Sequence, residues 1–336
     1  MIKNFKYVIG IVLVAMLMAC SSHSTQLQKL SFPRDMDQPF LSWEKMLGED
    51  LKPATGLVGR FMNIILGPKS SLQLVRPVAV TFDGNDHIYV ADADAGRVIK
   101  YEYDEEGLLS TSILGEGTLT SPNGLAVWND ILYVSDAGPG RIHRFDLAGN
   151  AIDTLKIEGL IRPGQLKVSP AGDKLFIVDT PAHEVLVINI SGQITGRLKL
   201  EKSGERMLGA PLAVDFMQDG KIVLLDGLSR RVEFFASDYT YLNGFGGYDR
   251  VPGSFSNPRG LTISSDGYIF ISDAAFGNIQ IFDPKGALLY FFGSIGKEAG
   301  EFLLPASIEF DDHDNLYVMD QYNNRVQVFH YFAQEG

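Results

Sequence analysis

The residues best able to do chemistry in this chain are three charges at one repeated position. Lys167, Asp215 and Glu309 each stand four residues after a proline (Pro163, Pro211 and Pro305), between apolar neighbours such as Val214 and Phe216. The matching positions elsewhere hold Thr81, Ala126 and Thr262. Charges set into an apolar strand are costly unless paired, so two readings follow. In one, Lys167 and Asp215 form a satisfied salt bridge that plugs a wet channel. In the other, the charges make a channel site for a cation or a polar ligand. With Asn123, the oxygens of Asp215 and Glu309 could serve calcium. Zinc would want about three converging histidines. Of the six, His23, His87, His143, His183, His313 and His330, no trio converges, since His87 and His313 fall in tight turns and His23 lies near the start. The run Asp311, Asp312, Asp314, Asn315 lacks the following Glu of a calcium loop. No nucleophile elbow, phosphate loop or dinucleotide fingerprint is present, and no catalytic residue is assigned.

A second pattern pairs Asp with an Arg five residues on: Asp92/Arg97, Asp136/Arg141, Asp226/Arg231 and Asp320/Arg325. A contact repeated so often is expected to be structural, each Asp accepting backbone hydrogen bonds and meeting its Arg. The departures are more informative. Glu184 and Asn278 replace the Arg in two copies, in loops that also present His183 and Phe276. Together with Arg259 and Tyr322, these complete a candidate ligand-binding set of Asn123, Lys167, His183, Asp215, Arg259, Phe276, Glu309 and Tyr322.

The elements that must position these residues follow from an internal repeat. Pro77, Pro122, Pro163, Pro211, Pro258 and Pro305 are followed by Asp92, Asp136, Asp179, Asp226, Asp273 and Asp320 at separations of 15, 14, 16, 15, 15 and 15. Three residues before each Asp stands Tyr89, Tyr133, Phe176, Val223, Phe270 or Tyr317, and nine after it Tyr101, Phe145, Ile188, Phe235, Phe282 or Phe329. Large residues at fixed offsets suit sheets stacked on neighbouring sheets. Each unit reads as three strands, with alternation such as Arg325-Val326-Gln327-Val328. A fourth strand follows in most copies, as at Leu288–Phe292. The last copy has no room for one, and the apolar segment 61–66 is expected to supply it and close a ring without open edges.

Copies such as 258–293, PRGLTISSDGYIFISDAAFGNIQIFDPKGALLYFFG, resemble NHL repeats. Six of them with a split final blade imply an all-β, six-bladed β-propeller over about residues 56–336. Members of that family include enzymes, sensor domains, RNA binders and scaffolds, so the resemblance implies a fold rather than an activity. Strand direction places the long connections 197–210, 246–257 and 293–304 on one face, where binding is expected.

The 336 residues are 45% hydrophobic, and the 35 glycines suit a turn-dense β protein. Lys3 and Lys6 precede an apolar run from Val8 to Met18, too short to span a bilayer, and then Leu17-Met18-Ala19-Cys20. This resembles a bacterial lipobox: residues 1–19 a signal peptide, Cys20 the lipidated (palmitate-bearing) residue, and 20–55 a tether in which 42–47 has the makings of a helical turn or two, with Phe40 and Trp43 either docking on the domain or a partner or lying in plain linker. Ser21 after the cysteine implies sorting to the outer membrane of a Gram-negative cell, facing either the periplasm or the outside. Cys20 is the only cysteine, which excludes an intramolecular disulfide and a catalytic thiol. The formal charge is −12, or −14 once Lys3 and Lys6 are removed, and basic residues show no clustering, so nucleic acid is not an expected partner. The expected function is a membrane-anchored binding or scaffold module for an envelope protein, peptide or glycan, with no cofactor beyond calcium in the channel. The alternative is a calcium- or zinc-dependent lyase or lactonase acting in that channel.

Overall fold

The computed structural model describes residues 30–33, 39–48, 73–85, 87–104, 107–199, 208–248 and 252–333. The signal segment, Cys20 and residues 61–66 lie outside these. Among the described residues the chain is almost wholly β, with two 3-10 turns at Thr180–Ala182 and Gln321–Asn323. Its strands form six antiparallel sheets arranged as the blades of a propeller, five built from consecutive hairpins and the last joining strands from both ends of the described chain. Five have four strands; the last has five.

The two anchors explain why each blade folds alike. In all six, the Pro opens the innermost strand and pairs across the ladder with the Asp that closes the second, as in Pro77↔Asp92 and Pro305↔Asp320. A register shift follows the Pro every time, between Pro122/Gly124 and Pro258/Gly260 for example. Each Asp is buried and accepts backbone N–H bonds from the connection that enters its blade. Asp136 takes Thr120 N–H and Ser121 N–H at 2.9 and 2.7 Å, and Asp273 takes Ser256 N–H and Asn257 N–H at 2.6 and 3.1 Å. The carboxylate thus satisfies buried donors that no strand partner reaches.

The expected Asp–Arg partnership forms in two copies, Arg97 on Asp92 at 3.2 Å and Arg325 on Asp320 at 2.8 Å. In the second copy His143 stands 3.6 Å from Asp136 while Arg141 is exposed, and in the fourth Arg231 turns to Glu233 at 3.0 Å. The side chain opposite the Asp is therefore free to vary once backbone donors hold the carboxylate.

Six hydrophobic clusters fill the six blade-to-blade interfaces, and the large residues at fixed offsets lie in them: Phe145 between the first two blades, Phe176 and Phe235 between the third and fourth, Phe270 and Phe329 between the last two. At the centre the innermost strands approach so closely that a Cβ on Gly124 would lie 2.1 Å from the Gly164 carbonyl oxygen, and one on Gly260 2.5 Å from that of Ala306. Only glycine fits there.

The ring is closed by an N-terminal strand, but not by the expected segment. Leu41–Leu47 pairs antiparallel with Arg325–Tyr331, bringing Trp43 opposite Phe329 and Leu47 opposite Val326. Ser31–Phe32 adds a short fifth strand outside it. Phe32 and Leu41 are buried among Phe292, Phe302 and Phe329, with Phe40 and Trp43 packed against the same cluster. Residues assigned from sequence to the tether, and 42–47 read as a helical turn, are thus part of the last blade. The physical reason is burial: an isolated short helix is marginal in water, whereas this strand pairs an open edge and buries Leu41 and Leu47.

Candidate functional site

The face bearing the blade-to-blade connections has a cavity of about 290 Å³ on the propeller axis. The register shift after each Pro aims the next one or two side chains at it. From those positions come Asn123, Gln165, Arg259 and Ser307; Arg76 and Gln321 reach in from the connections and turns. No acidic residue lines it among the described residues. Gln165 accepts the Val214 N–H through Oε1 at 2.6 Å, which leaves its amide hydrogens to the cavity. Arg76 donates through Nε to Asp94 at 2.7 Å, while Arg259 is exposed and makes no ion pair among the described residues. In a chain of net charge −12 this is a funnel of donors and positive charge. Such a lining suits a ligand group rich in acceptors, above all a carboxylate.

Two or three residues further along the inner strands, roughly 7–10 Å deeper at ~3.3 Å per residue, lie the three channel charges. Lys167 Nζ is 3.0 Å from Asp215 Oδ1 and also donates to Glu309, which reaches it from the opposite blade. Asp215 further accepts Thr262 Oγ1–H and Ile263 N–H at 3.2 and 3.0 Å. Burial works to lower the Lys167 ammonium, but Asp215 and Glu309 outweigh it and hold the group above the ordinary lysine range. Burial also pushes the Glu309 carboxyl up; Lys167 opposes the rise and Asp215 adds to it, leaving it at about 7. The calcium reading needs Asp215, Glu309 and Asn123 together. The lysine ammonium already stands between the two carboxylates where the ion would go, and Asn123 lines the other cavity. The donor set as folded therefore does not fit calcium, and among the described residues no group of three or more His, Asp or Glu is placed to hold a metal.

The remaining sequence candidates sit around the funnel rather than in it. His183, in the left-handed conformation at φ 58°, donates Nδ1–H to the Gly209 carbonyl at 2.7 Å and so ties its turn to the next blade. Glu184, in place of an Arg, is buried and pairs with Arg197 and Lys199. Tyr322 and Phe276 are 65% and 50% exposed. They belong to a larger set: Ile161, Leu228, Tyr248, Phe276, Ile295 and Tyr322 are all at least half exposed and all on this face. On the opposite face only Ile190 matches them among the described residues, with Leu289 and Phe291 on an outer strand. An apolar rim about a polar funnel is the make-up of a binding face. Sequence reasoning missed Arg76, Gln165, Ser307 and Gln321; the signal that finds them is their placement just before or after a Pro anchor, or just after an Asp anchor.

No protein-family model matches the chain, and neither does any curated protein. Among solved structures the fold recurs widely. A gluconolactonase from Xanthomonas campestris is 18% identical over 86% of this chain and 98% of its own, with a TM-score of 0.61. A Bacteroides thetaiotaomicron protein of unknown function is 15% identical over 78% of this chain and 70% of its own, also at 0.61. Virginiamycin B lyase from Staphylococcus aureus, crystallised with quinupristin, is 11% identical over 78% and 84% at 0.57. At these identities the likeness is one of fold, the six-bladed β-propeller.

Proposed function

We propose that the protein is a binding module of the cell envelope, held there by lipid on Cys20, that presents its connection-bearing face to a protein or peptide partner; a glycan is the other ligand class this face would suit. The observation that carries the reading is the pairing, on one face, of an acid-free funnel bearing Arg76 and Arg259 with six exposed apolar side chains. The funnel would take an acidic or carbonyl-rich group of the partner, and the rim would bury its apolar surface. The test is capture from envelope extract by full-length protein, compared with Arg259→Ala and Tyr322→Ser. Each variant is expected to lower the yield of the captured partner about tenfold or more, as loss of a central contact does. Capture unchanged in both would remove the reading.

A second reading, a channel enzyme of the lyase or lactonase kind, is favoured by one feature. Glu309, at about 7, is poised for proton transfer near neutrality beside the Lys167 ammonium. Activity separates the two: turnover of lactone substrates by the full-length protein, lost in Glu309→Gln, would favour the enzyme; no turnover, with capture unchanged in Glu309→Gln, would leave the binding module.

A further inference from the structure

We propose that a groove between the fourth and fifth blades receives an arginine side chain carried by a peptide segment of the partner. The inference rests on the binding reading above and adds the chemistry of what is bound. Its template lies within the chain. In the last blade Arg325 fastens the blade to the connection entering it: Nε donates to Asp320 at 2.8 Å, and Nη2 donates to the backbone carbonyls of Glu298 and Glu301 at 2.9 and 3.0 Å. Gln327 completes the clasp, donating to the Glu301 carbonyl at 2.7 Å and accepting Gly300 N–H at 2.9 Å. In the first blade Arg97 does the same, reaching Asp92 and, at 2.7 Å, the Gln73 carbonyl.

The fifth blade keeps the register and lacks the guanidinium; Asp273 is filled by the backbone N–H groups of Ser256, Asn257, Ala275 and Phe276, so the acceptor left over belongs to the residue opposite it. Asn278 stands opposite Asp273 as Arg325 stands opposite Asp320, and Gln280 takes the register of Gln327. Asn278 is too short to span to the connection. Its Oδ1 is buried with no hydrogen-bond partner, and Gln280, only 4% exposed, makes no hydrogen bond among the described residues. In place of the clasp there is a groove of about 590 Å³ whose walls include Tyr248, Phe276 and Phe291, all more or less half exposed. An unpaired buried acceptor calls for a donor. A guanidinium supplies several in one plane and stacks on aromatic rings while doing so. The groove already shows that stacking, because Arg230 lies over the Tyr248 ring, 4.6 Å from its centroid.

The probe is a capped Gly-Arg-Gly peptide titrated into the full-length protein by calorimetry, with the citrulline analogue as the uncharged control of the same shape. Saturable binding is expected, weaker by about tenfold or more for citrulline. Asn278→Arg fills the groove from within and is expected to abolish binding while raising Tm by a few degrees. Phe276→Ser, at an exposed position, weakens binding several-fold and keeps the test decisive should the larger substitution fail to fold. Ile190→Ser, on the opposite face, leaves peptide binding unchanged. No saturable binding, equal binding of citrulline, or undiminished binding in a folded Asn278→Arg protein overturns the assignment. Peptide binding lost while partner capture persists removes this inference alone; capture independent of Arg259 and Tyr322 while the peptide still binds removes the funnel reading alone.

Discussion

Lys167, Asp215 and Glu309 act as one unit, so removing the cation should hurt more than removing the whole set. Lys167→Met leaves two carboxylates facing each other in a narrow, partly buried channel, and is expected to cost about 3–5 kcal/mol in denaturant unfolding. Adding Glu309→Gln to that variant should recover much of the loss. The pH dependence has a definite sign. Glu309 holds its proton more tightly folded than unfolded, rising from 4.5 to about 7, so the stability it contributes is complete below pH 4.5 and is lost as pH rises through 7. Relative to Glu309→Gln, the natural protein should lose at most roughly 3 kcal/mol over that range, measured by thermal unfolding of both at a series of pH values. The Lys167–Asp215 bridge was legible in the sequence because both share one register in adjacent blades. The part of Glu309 was not, since it joins from across the axis, and only the narrowness of the channel brings a third-blade lysine to a sixth-blade glutamate. The same holds for the funnel: Asn123 and Arg259 directly follow their Pro, while Gln165 and Ser307 stand two residues on, within the longer bulges of the third and sixth blades, whose length no residue type announces.

At the level of the strand, the closing segment Leu41–Leu47 carries the most risk for the fold. Leu41 is fully buried against Phe329 and its neighbours, and Leu41→Ala should cost about 2–5 kcal/mol, seen as a lowered midpoint in urea. A chain starting at residue 49 is expected to leave the edge of Arg325–Tyr331 unpaired and to aggregate, whereas one starting at residue 30 should stay monomeric in analytical ultracentrifugation. Three strands of every blade were legible because Pro and Asp punctuate them. The fourth strand has no such marks, and 61–66 reads as the closing one because 63–77 resembles 289–305, the segment before the last anchor. The true strand hides its pattern. A register shift between Trp43 and Lys45 breaks the two-residue alternation, so LSWEKML shows no clean inward face until it is paired.

Over the whole molecule, the two faces of the ring differ in what they offer. Leu228→Ser and Ile295→Ser, at exposed positions, should change stability by no more than about 0.5 kcal/mol yet diminish partner capture. Ile190→Ser on the opposite face should change neither, and pull-down of the three variants side by side checks this. The outermost strand, Ser31–Phe32, has one more consequence. It fixes the front of the chain to the flank of the last blade from Leu30 onward, with Trp43 N–H donating to the Leu30 carbonyl at 2.7 Å. Only ten residue steps lead from Leu30 back to Cys20, a span of no more than about 36 Å even when fully drawn out. That is less than the roughly 50 Å breadth of a domain this size. With an acyl chain on Cys20, the wheel would ride on a short leash beside the bilayer, within arm's length of neighbours rooted in the same leaflet and far less open to anything anchored across the envelope.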